Sequence, residues 1–270
     1  MPTGTTAPAT RQYLLRLATA TPEVHVVRHL GPALARLEDS YAIGGWYFRR
    51  GADTWTLVCE AAARPGFAAE DPEREVLDLC LAVGMITSWK LTAHQPLTYS
   101  AGGVAGLPAA SRWHHQDSRQ VLAYLRAVHD GQPDRRDELF VLHSAAAMAG
   151  AALDRQGVAD TWSRIADATA GGLWPAVTDE SVRAAHTLLE DSAPEAGPGR
   201  PPAWSEVHTA YGRAVADLHD QGQLWGGRHT VLAAQLLGHA DRLGVTDPAR
   251  MAAAAATAAL GLAARTEATR

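Results

Sequence analysis

Residues 110 to 125 read ASRWHHQDSRQVLAYL, which puts Trp113, His114 and His115 directly before Gln116, Asp117 and Ser118. An imidazole can give or take a proton near neutral pH, and a nearby carboxylate can orient it. Metal chemistry would need histidines that share one face, such as i and i+4 on a helix, with further ligands elsewhere. Adjacent His114 and His115 point apart, so no metal site is expected. A purely structural reading makes Asp117 or Ser118 the cap of a helix that begins at Arg119. That reading leaves the two imidazoles and the indole unexplained.

Just upstream, SAGGVAG (100–106) is a glycine-rich loop in which a backbone can approach a ligand closely. It lacks the lysine and spacing of a phosphate loop and is no dinucleotide fingerprint. It reads as the wall of a cleft for an uncharged or peptide-like ligand, or as a plain loop. Serine nucleophile elbows, HExxH and CxxC are absent. His143 lies in an apolar helical pattern and is expected in the core; His239, in LLGHADRLG, lies near a helix end that favours it. Of the eight tryptophans, Trp46, Trp55, Trp89 and Trp113 fall where aromatic surface could line a groove, with burial the commoner fate.

The elements that must position these residues follow from composition and period. With 270 residues, 47% hydrophobic and 20% charged, the chain can bury a sizeable core. A net charge of -5 without a block of like charge calls for neither nucleic acid nor an anionic membrane as partner. Cys59 and Cys80 are too few for a disulfide framework and are expected as reduced core residues. The first residues lack the order of a secretion signal, and no apolar run approaches the ~20 residues of a membrane helix, so a cytoplasmic protein is expected.

QYLLRLAT alternates as a strand, and PEVHVVRHLGPALARLEDS has helical spacing. GGWYFRR and TWTLVCEA, split by GAD, predict a hairpin; DPEREVLDLCLAVGMIT predicts a helix and SWKLTAHQPLTY a strand. After residue 105 helical periods dominate, broken by the Pro/Gly-rich SAPEAGPGRPPAW. The expected fold is α+β: a small, mainly antiparallel sheet with flanking helices, then a nearly all-helical half. As a single domain it would have a sheet-containing part at about 11–104, a helical part at about 105–268 and a mobile loop at about 192–203.

These segments, in this order, resemble the thiopeptide-type bacteriocin biosynthesis domain, which is related to the glutamate-elimination domain of lanthipeptide dehydratases. VHVVRHLGPALARLEDS and GGWYFRRGADTWTLVCE resemble its opening helix, with a proline near the middle, and its aromatic first hairpin. TYSAGGVAGLPAASRWHHQDSRQVLAYL resembles its Tyr, Gly-Gly and His-x-Asp-Ser segment, DELFVLHSAAAMAGAALDRQGVADTW the helix pair after it, and LLGHADRLGV its closing segment. The elimination enzymes carry two arginines in the second strand and another before the Gly-Gly, where they handle a glutamylated substrate. Here those positions hold Leu57, Cys59 and Ser100, so the guanidinium forks suited to a carboxylate are missing. Asp241 stands where Asn is usual, and Leu237 where many relatives have a further His.

With the scaffold kept and the arginines lost, the resemblance implies the pyridine synthase branch. Its reaction is a formal [4+2] cycloaddition of two dehydroalanines in a thiazole-bearing precursor peptide, with loss of water and of the leader. No cofactor and no metal are implied. The partner implied is the modified precursor peptide, with transient contact to other biosynthetic enzymes and no nucleic acid or membrane. On this reading Tyr99, His115 and Asp117 are the polar core, with Tyr211, Gln223 and His239 as further catalytic candidates. Trp46 and Trp113 are groove walls, Ser100 and His114 contact substrate, and Arg49 and Arg50 hold an acidic leader. Two alternatives remain: a split glutamate-elimination enzyme using new cations such as Arg112 or Arg228, and a non-catalytic scaffold that binds the leader.

Overall fold

The structure, a computed structural model, describes residues 10–18, 22–51, 54–62, 71–170, 175–191 and 203–268. In chain order it has β1 (Thr10–Leu17), α1 (Pro22–His25), a π-helical turn (Val26–Leu30), α2 (Gly31–Asp39), β2 (Ile43–Arg50) and β3 (Thr54–Ala61). Then come α3 (Pro72–Ala82), β4 (Ile86–Thr92), a 3-10 turn (Val104–Gly106) and α4 (Leu107–His129). The rest is α5 (Arg136–Gly150), α6 (Arg155–Ala170), α7 (Asp179–Asp191), α8 (Ala203–Asp220), α9 (Gly227–Leu243) and α10 (Pro248–Ala268). The fold is α+β, as its periodicities imply. α7 is a helix they had not marked. Part of the GAD turn, and residues 192–202 of the Pro/Gly-rich segment, lie outside the described residues.

The chain forms two compact units. The first comprises the residues to Gln95 with His114–Asp134, the second Pro96–Trp113 with the residues from Arg135 onward. In the first, the sheet order is β2-β3-β1-β4 and every pair is antiparallel. Tyr13 and Leu15 of β1 are buried while Leu14 and Arg16 are exposed, the alternation of a half-buried strand. The expected opening helix is helical throughout but changes winding at Val26–Leu30, just before Pro32, which has no N–H to continue the ladder. α3 is fastened to β1 through a buried carboxylate. Glu73 accepts hydrogen bonds from the Arg11 guanidinium (Nη2 to Oε2, 3.0 Å) and from the Tyr13 hydroxyl at 3.0 Å, and Arg11 also reaches Asp71 at 3.0 Å. A buried charge persists only when paired in this way.

The sheet order leaves β2 as an edge, and α4 covers it. The Phe48 N–H donates to Ser118 Oγ at 3.3 Å. Two residues back, Trp46 turns both backbone groups toward His115 Nδ1, N–H at 3.2 Å and C=O at 2.8 Å. Side chains three apart on a helix thus serve backbone groups two apart on a strand, and the edge is closed to further pairing. This corrects the expectation that Asp117 or Ser118 caps a helix starting at Arg119. α4 begins at Leu107, with Pro108 in its first turn where a missing N–H costs nothing, so the histidines and Asp-Ser lie well inside it. Cys59 and Cys80 are buried free thiols, and burial pushes Cys59 well above the ordinary thiol range.

In the second unit α5 packs on α8 and α6 on α10. Both pairings rely on small residues. α10 buries Ala252–Ala256. At the α5–α8 crossing a Cβ on Gly212 would lie 2.0 Å from the Ala147 carbonyl oxygen, and one on Gly150 would lie 2.2 Å from that of Thr209. Only glycine permits so close a backbone approach. No described helix is long and apolar enough to cross a membrane.

Two expected outcomes test this account. Ser118→Ala leaves the Phe48 N–H without its acceptor and should lower stability by about 1–3 kcal/mol, read as a shift in the urea midpoint. Burial, then the Glu73 carboxylate, raises the Tyr13 pKa above its ordinary value, so the unfolded chain loses that proton first. Stability from this group is therefore intact below about pH 10 and declines above it. Urea midpoints measured from neutral to strongly alkaline pH should fall, and Tyr13→Phe should reduce the slope.

Candidate functional site

The sequence-selected residues fall into three groups. In the first unit, His115 Nε2 lies 2.9 Å from Glu38 Oε1, which also accepts from Arg119 Nη1 at 3.1 Å. With its proton on Nε2, a neutral His115 donates to Glu38 and accepts the Trp46 N–H at Nδ1. When doubly protonated, Nδ1 donates to the Trp46 carbonyl instead. Nδ1 thus meets a backbone donor and a backbone acceptor of one residue, and Nε2 meets a carboxylate. The carboxylate touching His115 is that of Glu38, on α2, rather than the expected Asp117. Residues two apart on a helix face different ways, and Asp117 is fully buried. Trp46 is buried edge-on to His115, and His114 packs against Tyr47 at 5.0 Å between ring centres.

Of the two hairpin arginines, Arg50 is engaged within the unit, pairing with Glu23 at 2.7 Å and lying over Trp55 at 4.7 Å. Arg49 is half-buried near His94, whose pKa is lowered by burial and, secondarily, by that guanidinium. A separate groove of about 620 Å³ has His25, Arg28, His29 and Arg36 on one side and Val76, Leu79 and Val83 on the other. Leu79 and Val83 are exposed. Nothing in the residue pattern had marked this groove, because its walls come from separate helices.

The second group is a surface of the second unit. Tyr99 is 76% exposed and Trp225 57%. The Trp225 N–H donates to the Gly102 carbonyl at 2.8 Å, and its indole lies where a Cβ on Gly103 would sit, 2.9 Å away. Gly102 (φ 78°) and Gly103 (φ 105°) are left-handed as well as crowded, so the Gly-Gly pair is needed to seat Leu224 and Trp225. Gln223, exposed, is adjacent in the chain to that contact. Ser100 Oγ donates to the Leu97 carbonyl at 3.0 Å. The fold thus brings the Gly102–Gly103 loop, which follows Tyr99 and Ser100, beside Leu224 and Trp225.

The third group is buried in the same unit. Trp113 stacks on Tyr211 at 4.6 Å and carries the Arg242 guanidinium on its ring at 4.9 Å. Tyr211 is buried, which pushes its phenol above the usual range, and His239 is fully buried. His143 is in the core as expected. It meets His239, Nδ1 to Nε2 at 3.3 Å, and stacks on His208 at 4.6 Å between ring centres. His208 and Trp204 were not anticipated: in AWSEVHTAY they look like ordinary helix positions.

The family described as lantibiotic biosynthesis dehydratase C-term matches residues 13–260. No curated protein matches the chain. Among solved structures, the tRNA dependent lantibiotic dehydratase MibB from Microbispora sp. 107891 is similar at 16% identity and TM-score 0.65. That match covers 98% of this chain and 29% of MibB, so this chain spans less than a third of that protein. The pyridine synthase TbtD from thiomuracin biosynthesis is similar at 15% identity and TM-score 0.58, covering 93% of this chain and 98% of TbtD. TsrL is similar at 15% identity and TM-score 0.60, covering 93% of this chain and 94% of TsrL. At these identities the structures share a fold.

The α5–α8 crossing sets where His143 and His208 stand. Gly212→Ala should force the two helices apart and cost about 2–4 kcal/mol, beyond ordinary overpacking because the clash is with backbone. Thermal unfolding with near-ultraviolet circular dichroism of the buried tryptophans checks both the loss and its place.

Proposed function

The chain belongs to the lantibiotic dehydratase C-terminal family, and on that footing we propose that it is a thiopeptide pyridine synthase acting on a leader-bearing, azole-containing peptide with two dehydroalanines. One observation carries the choice over glutamate elimination. Leu57 and Cys59, which stand where the elimination enzymes have arginines, are fully buried side chains on β3. The charged groups acting on Cys59 include the carboxylate of Glu73, and the nearby Arg11 fork is engaged by Glu73 and Asp71. Among the described residues, the guanidinium acting on Cys59 is that of Arg11, already engaged by Glu73 and Asp71. At the third position, the Ser100 hydroxyl is turned onto the Leu97 carbonyl.

In the proposed reaction one amide takes its iminol form, giving a 2-azadiene that closes on the second alkene through two carbon–carbon bonds. Water then leaves the former amide carbon, and the leader leaves as its carboxamide, which makes the ring aromatic. Holding two distant alkenes together removes much of the entropic barrier, so chemical demands on the protein are modest. Tyr99 and Gln223 offer exposed hydrogen-bonding groups beside an exposed indole. His115, held in either protonation state, suits proton transfer. Trp113, Tyr211, His239 and Asp117 are buried, so on this reading they act as supporting groups. The groove of His25, Arg28, His29 and Arg36 facing Val76 and Leu79 suits an acidic, amphipathic leader.

Mass spectrometry of the purified protein with such a peptide tests the reading. The expected products are a macrocycle and the free leader carboxamide, with Tyr99→Phe or His115→Gln slowing turnover by about 100-fold or more. An unchanged peptide that still binds would point to a scaffold. Turnover of a glutamylated peptide alone would overturn the arginine argument.

A further inference from the structure

Three histidines from three helices converge in the core of the second unit: His143 on α5, His208 on α8 and His239 on α9. All are fully buried, and one ring nitrogen from each lies within 4.8 Å of the others. Among the described residues this is the one group of three or more side chains so disposed. Around it stand Trp204, 4.2 Å from His143 between ring centres, and Phe140 and Trp113, each near His239. The three donors are imidazole nitrogens on buried side chains, a ligand type that zinc takes readily.

We propose that His143, His208 and His239 form a binding site for a divalent transition metal, zinc being the best match. A zinc ion with ~2.0–2.1 Å bonds at tetrahedral angles places its nitrogens about 3.3–3.4 Å apart. His143 Nδ1 and His239 Nε2 are already 3.3 Å apart, one edge of that tetrahedron. His208 lies nearly parallel to His143, at 9°, and its ring must turn to aim at the same point. The second torsion of histidine is broad, so the turn is limited by the rings packed on His208, those of Trp113 and Trp204, and not by its rotamer. The fourth position stays open to a small anion such as hydroxide, which would offset the cost of a dication in a core that also holds Arg242. Such an ion would tie α5, α8 and α9 together at one point. The inference stands independently of the cyclase reading.

The test uses the full chain. Protein stripped with a chelator is titrated with zinc and with cobalt(II), whose visible spectrum reports coordination geometry, and urea midpoints are measured with and without zinc. The expected result is one ion per chain, a tetrahedral cobalt spectrum and a raised midpoint. His208→Gln or His239→Gln, verified as folded by circular dichroism, should weaken binding by more than about 100-fold, beyond the effect of losing a merely supporting group. His25→Ala/His29→Ala, which removes a surface pair at i and i+4, should leave binding unchanged. Equal affinity of the parent chain and the His208 variant, octahedral cobalt, or loss of binding only in the His25/His29 variant would overturn the proposal.

Discussion

An edge strand with unpaired backbone groups invites the wrong partner, and in the first unit β2 is such a strand. Its outward N–H groups at Trp46 and Phe48 are taken by His115 and Ser118 of α4. This requires α4 to run unbroken through the His-His-Gln-Asp-Ser segment, because only a helical repeat puts residues 115 and 118 on one face. It also fixes the environment of His115. An imidazole that bonds a strand on one side and the Glu38 carboxylate on the other is held in one orientation.

The second unit depends on a different constraint, how closely two helix backbones can approach. Gly150 and Gly212 remove the side chains that would separate α5 from α8, and the crossing carries His143 and His208 into stacking contact. Trp204, His239 and Trp113 make ring contacts with them. Such a core is polarizable and rich in nitrogen donors yet closed to water, an unusual interior for a helical layer stabilised otherwise by alanine and leucine.

These constraints bear on function by separating scaffold from surface. Tyr211, His239 and Asp117 are interior groups, while Tyr99, Gln223 and Trp225 are offered to solvent on loops whose course is dictated by Gly102 and Gly103. Loops set on a rigid frame are where binding chemistry ordinarily resides. Leu57 and Cys59 are buried apolar side chains on β3, and the carboxylate of Glu73 acts on Cys59.

Much of the architecture was legible in the amino-acid order: the β2–β3 hairpin from its aromatic strands, the helical second half from its period, the core positions of His143, Cys59 and Cys80 from their apolar surroundings, and the family from the order of weak motifs. Those features depend on neighbours within a few residues, where backbone sterics and hydrophobic period act. The start of α4 was misread because Asp-Ser carries a strong local capping preference, and Leu-Pro twelve residues earlier was the better start. Glu38 beside His115, Trp225 over Gly103, and His208 between His143 and His239 were not legible at all. Each pair is separated by tens of residues, and a lone Glu, Trp or His on a helix or loop carries no local mark of its distant partner. Local order thus carries most of the elements and the family, whereas which imidazoles meet carboxylate, backbone or one another follows from how those elements pack, because contacts between remote residues are set by the fold as a whole.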